Sequence, residues 1–138
     1  MNQHTISKVK LNFPRILLGS IFILSGINGF LQIFPEPQFS VEGSSFITRL
    51  KESGFWWLLL KTTEIVGGVL LISKSLGRFG VLLLAPITLA IVAFHLVFSI
   101  QGSALGFLVF TLELLLIFMW RKNLAKLFHV HKHHSTGH

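Results

Sequence analysis

The stretch from Phe55 to Ile72, FWWLLLKTTEIVGGVLLI, limits the possible folds of this chain more than any other. Its length suits a membrane helix: at about 1.5 Å per residue it spans roughly 27 Å, close to the thickness of a hydrocarbon core. Yet Lys61 and Glu64 stand near its middle. A charge at that depth costs about 2.5–3.5 kcal/mol on insertion scales. Three residues apart on a helix, the two share a face, and pairing lowers that cost. Gly67 and Gly68 follow on or near the same face, where a second helix can approach closely.

Three more apolar runs accompany it: Arg15 to Phe34, Phe79 to Ile100 and Ala104 to Trp120. Only 12% of residues are charged, whereas a soluble domain carries about a quarter. The expected fold class is therefore all-α: a polytopic membrane protein built as a four-transmembrane-helix bundle. Residues 1–14 form a basic N-terminal segment, 15–120 the membrane domain and 121–138 a basic, His-rich tail. Pro14 is expected in the first turn of its helix, where proline is tolerated. The first run is too long for a signal-peptide core and lacks a small-x-small cleavage site, so it reads as a retained helix. Residues 35–54 make the long connection, with a short amphipathic turn expected over Ser45 to Lys51 and Phe46, Ile47 and Leu50 facing inward. Pro86 marks a kink in the third run.

The net charge of +7 does not indicate nucleic acid, because the basic residues lie at the ends of apolar runs. They are topology signals and headgroup contacts, with Arg15 and Arg78 as phospholipid anchors. Lys8, Lys10, Arg15, Lys74, Arg78, Arg121, Lys122, Lys126 and Lys132 fall on one side of the membrane, Arg49 and Lys51 on the other. The positive-inside rule then makes both termini cytoplasmic and puts the 35–54 loop outside. The expected location is the bacterial cytoplasmic (inner) membrane. With no cysteine in the chain, disulfides, thiol redox chemistry and thiolate metal sites are excluded.

Alternating helix directions place Asn28, Lys61 and His95 about 8–9 Å below the outer face, and Ser25, Glu64 and Glu113 at about 14 Å. Each helix thus contributes a polar group to one band, and a shared interior costs less than exposure to lipid. Two readings compete. In one, Lys61 pairs with Glu64 or Glu113 and the polar groups fix helix register. In the other, Glu64 and His95 exchange protons in a site lined by Asn28, Lys61 and Glu113. The tail histidines His129, His131, His133, His134 and His138 lack accompanying carboxylates or cysteines, so a solvated tail is expected and no metal site is assigned.

The run RILLGSIFILSGING resembles the first helix of the DoxX family of small four-helix membrane proteins. EIVGGVLLISKSLGRFG, with its Glu, Gly pair and Gly-Arg turn, is similar as well, as is the third helix ending AIVAFH. The resemblance covers about residues 15–120. It implies a four-helix bundle and draws interest to Glu64, Gly67, Gly68 and His95. Family members are linked with membrane oxidoreductase systems, including a quinone-reducing one acting on thiosulfate. Gly29 stands where a lysine often follows the Ser-Gly segment. Either Lys61 supplies that charge from another helix, or the family's activity is absent.

Two classes of function follow. The first is a membrane subunit of an oxidoreductase, with a quinone or small reductant as its ligand and a soluble or membrane oxidoreductase subunit as partner. The chain has no haem ligand pair, flavin fingerprint or iron-sulfur motif, so the redox centre would be the quinone or lie on the partner. The second is a non-enzymatic membrane protein that stabilises a partner or passes a small solute.

Overall fold

The computed structural model describes residues 3–129. They form five α-helices and one short 3₁₀ turn: α1 (Gln3–Leu31), α2 (Val41–Glu52), α3 (Phe55–Ile72), α4 (Gly77–Phe98), the turn Ile100–Gly102, and α5 (Ala104–Phe128). Four of these, all but α2, are long and apolar enough to cross a membrane. The protein is an all-α, multi-pass membrane bundle.

Two boundaries differ from the sequence expectation. Helix α1 runs without interruption through Pro14, which removes one backbone donor but leaves the flanking turns intact. Helix α5 continues past Trp120 to Phe128, because RKNLAKLF is made mostly of good helix formers.

The spanning helices form a ring in which α1 packs on α3, α3 on α4, α4 on α5, and α5 closes on α1. The α1–α3 seam is the most extensive, and its tightness comes from missing side chains. A Cβ on Gly68 would lie 2.6 Å from the Gly19 carbonyl oxygen, and one on Gly26 would lie 2.8 Å from the Lys61 carbonyl oxygen. In lipid such close backbone approach is a main source of helix association, since burying apolar surface gains little there. The Gly pair of α3 divides its work: Gly68 faces α1, while Gly67 meets Leu84 of α4.

Leu18, Phe22, Leu71, Leu84 and Leu116 fill the middle of the ring and are completely or almost completely buried. At the end where the termini lie, Arg15 is only 5% exposed. This corrects the expectation of a phospholipid anchor. Its side chain turns into the bundle near Gly77, which also meets Trp120, and donates to Asn12 Oδ1 at 3.0 Å.

Helix α2 lies across the opposite end against α3 and α4. It extends the short amphipathic turn expected from sequence, starting at Val41 with Ser40 as its cap; the Ser40 hydroxyl accepts from the Gly43 amide. Lys51 pairs with Glu36 and ties α2 back to the preceding loop.

Candidate functional site

Beneath α2 the ring borders a cavity of about 900 Å³ that opens toward the outside of the bundle, at the large end of the range for small-molecule sites. Its walls are mainly apolar and aromatic, and its polar groups are few: Ser25 and Asn28 from α1, Lys61, Thr63 and Glu64 from α3, His95 from α4, with Glu36 on the loop above.

The central feature is the pair on α3. Lys61 Nζ donates to both carboxylate oxygens of Glu64, at 2.9 and 3.0 Å, and reaches Ser25 Oγ at 3.4 Å. One helical turn places the two residues on the same face, as their spacing requires. The Lys61 side chain is 11% exposed and that of Glu64 3%, so Lys61 does not snorkel to the surface. The Trp57 ring holds it in place, with Nζ 4.9 Å from the ring centroid, a favourable cation–π distance. Trp57 is itself fixed, its indole N–H donating to the Gly29 carbonyl at 3.0 Å.

Gly29 bears directly on Lys61. A Cβ there would fall 2.8 Å from Lys61 Cε and closer still to Cγ and Cδ. The Lys61 methylenes therefore occupy the space beside Gly29, and the ammonium reaches the Ser25 hydroxyl of α1.

His95 forms the α4 wall. It is 9% exposed, and its Nδ1 lies 3.3 Å from the Ser99 carbonyl oxygen. The ring packs against Gly106 of α5 and beside Phe39 and Phe94.

Asn28 lines the cavity but has its amide engaged: Oδ1 accepts from the Phe34 amide at 2.7 Å and Nδ2 donates to the Phe34 carbonyl at 3.2 Å. It fastens the end of α1 to the following loop. Glu113 lies one turn beyond Val109, the last α5 residue of the lining, and is not itself part of the wall. It is 2% exposed. Its carboxyl approaches the Thr88 hydroxyl of α4, yet neither group completes a hydrogen bond of good geometry. The structure thus joins Lys61 to Glu64, gathers Ser25, Asn28 and His95 around the same space, and leaves Glu113 in a separate α4–α5 contact.

Trp57 joins the site through its i,i+4 spacing from Lys61. Phe46, expected to face inward, joins an aromatic roof with Phe39, Phe94 and Phe98, to which the sequence did not point; the four come from the loop, α2 and α4. Phe46 stacks on Phe98 with centroids 5.7 Å apart, and Phe39 meets Phe94 edge-on at 5.1 Å.

Among the described residues no group of three or more His, Asp or Glu is placed to hold a metal ion; His131, His133, His134 and His138 lie outside them. Neither the curated proteins nor the solved structures contain a match to this chain. A family model described as DoxX matches residues 11–97, a segment that runs from within α1 almost to the end of α4 and carries Ser25, Asn28, Lys61, Glu64 and His95. With more than half its length covered by that match, the chain belongs to the DoxX family.

Proposed function

We propose that this DoxX-family protein is the membrane subunit of an oxidoreductase system and binds a quinone or small reductant in the cavity beneath α2. The observation that carries the reading is the Lys61–Glu64 pair held at the wall of a large apolar cavity. Such a mixture, mostly apolar walls with a few convergent polar groups, is what a small-molecule site requires.

The donor set fits a quinone head. Lys61 has three N–H groups, and Trp57 and Glu64 orient them toward the cavity, so one can donate to a head carbonyl. A bound quinone would accept two electrons and two protons, the electrons coming from a partner subunit that oxidises a small reductant. Glu64 and His95 are the groups of this chain that hold and hand on those protons, Glu64 from α3 and His95 through Nε2 from α4. Asn28 and Ser25 shape the α1 wall.

In this reading both termini are cytoplasmic, α2 lies on the outer side of the bacterial cytoplasmic membrane, and the site belongs to the outer half of the bundle. The distribution of Lys and Arg supports that orientation. A second reading, a non-enzymatic scaffold for a partner, draws on Asn28, whose bonding to Phe34 is purely architectural.

Mass spectrometry of the lipid-soluble molecules retained by the purified protein tests the proposal. A quinone in stoichiometric amount supports it. Copurification of another membrane protein with no such molecule would favour the scaffold.

A further inference from the structure

The cavity has walls in two environments. Inside the ring it is bounded by Phe22, Glu64, His95 and Val109, all buried. The same space continues outward to Leu59 and Thr63 of α3 and to Leu83, Pro86, Ala90 and Val97 of α4. Apart from Thr63, which is half-buried, these residues are exposed on the outside of the bundle, and in a membrane-spanning helix that outside is lipid. Together with Ala93, those on α4 repeat at three- and four-residue intervals and therefore form one stripe along the helix. Three of the α4 residues in this wall are small or lack an amide hydrogen: Pro86, Ala90 and Ala93.

The end beneath α2 is built differently. Helix α2 packs on both α3 and α4, and Phe46 lies over Phe94 and Phe98. Phe39 adds its edge to Phe94, and Lys51 is tied to Glu36. Water-side access is thus covered by aromatic side chains, whereas bilayer-side access is lined by aliphatic ones, Pro86, Ala90 and Ala93 among them.

We propose that the site is loaded from the bilayer, through the seam between α3 and α4, by an amphiphile whose polar head reaches Lys61 while its single apolar chain lies along Leu59, Leu83 and Ala90. This deepens the reading of the cavity as a ligand site and rests on it for the head; the seam rests on the wall residues alone. Continuity of one cavity from a buried ion pair to the lipid face selects such an occupant. A small polar solute would leave the outer half of the space without a partner.

Ala90→Phe with Ala93→Phe tests the seam. Both residues face the bilayer, so added rings meet lipid rather than core. The readout is the fluorescence of Trp57, which lines the cavity, in nanodiscs of phosphatidylcholine brominated along its acyl chains. Trp56→Phe removes the exposed neighbour, and Trp120 contributes equally to every variant because it lies at the other end of the bundle. Bromide quenching should fall at least twofold on plugging the seam. Leu89→Phe, on the lipid face of α4 but outside the cavity wall, should leave it unchanged. Equal quenching with the seam open and plugged, or an equal fall in Leu89→Phe, would overturn the proposal.

A second arm separates the seam from the function. Decylubiquinone should bind the open protein and lose at least tenfold in affinity when the seam is plugged. The chain-free head, 2,3-dimethoxy-5-methyl-1,4-benzoquinone, should bind both forms weakly and equally. Loss of quenching on plugging without any quinone binding would keep the lipid-loaded seam and remove the quinone reading. Decylubiquinone binding indifferent to the plug would do the reverse.

Discussion

The Lys61 ammonium lies 2.9 Å from the Glu64 carboxylate, one turn along the same membrane helix, with the Trp57 ring against it. Neither charge has another opposite charge beside it among the described residues. The two are therefore stabilised chiefly by each other. Replacing Glu64 alone with Leu strands a buried ammonium, at a cost of about 3–5 kcal/mol. The double change to Glu64→Leu and Lys61→Met removes both charges and should recover most of that loss. Thermal unfolding in detergent of the two variants checks this. A double variant no more stable than Glu64→Leu would show that the pair is not energetically coupled.

The α1–α3 seam makes a separate prediction. Gly68→Ala places a methyl 2.6 Å from the Gly19 carbonyl oxygen, and backbone on both sides has little room to yield. A loss of about 1–3 kcal/mol is expected, as for overpacking in a close-packed core. Val69→Ala, on the exposed face one residue on, serves as the comparison and should cost far less.

Asn28 should act on the loop rather than on the ligand. Asn28→Ala removes both bonds to Phe34, a loss of about 1 kcal/mol for each net hydrogen bond. Limited proteolysis within residues 32–40 should become faster, with ligand affinity changed little. Unaltered cleavage would mean that other contacts hold this connection.

Orientation is checked by labelling, for which a chain without cysteine is already prepared. Ser44→Cys, in α2, should react with a membrane-impermeant maleimide added outside intact cells. Ser135→Cys should react only after the membrane is opened. Labelling of both from the same side would reverse or break the proposed topology.

Much of this architecture is legible in the chain because lipid makes it so. Four apolar runs need four helices, since no other open structure satisfies the backbone in hydrocarbon. The Lys61–Glu64 contact is equally local, following from a three-residue spacing. Contacts between elements were harder to read. Depth placed Glu113 level with Glu64, but depth does not give azimuth, and Glu113 turns toward Thr88 between α4 and α5. Asn28 has the polarity of a ligand-binding residue, yet the chain reversal at Phe34 engages its amide, and the reversal itself has no helical period. The roof escaped for a related reason: Phe39, Phe46, Phe94 and Phe98 come from three segments, and only the placement of α2 across the bundle end brings them together. Arg15 looked like a headgroup anchor because the continuation of α1 through Pro14, which extends the helix beyond it, is disfavoured by proline's intrinsic propensity.

The central claim is that the polar wall of the cavity receives a quinone head, and binding of decylubiquinone to Glu64→Gln and His95→Ala tests it most directly. Glu64→Gln keeps the volume and one acceptor oxygen but removes the carboxylate that positions Lys61 and accepts protons. His95→Ala removes Nε2 from the α4 wall. Measured on the folded fraction of each purified variant, both should bind at least tenfold more weakly than wild type. Wild-type affinity in both would contradict the account and return the Lys61–Glu64 pair to a purely structural role.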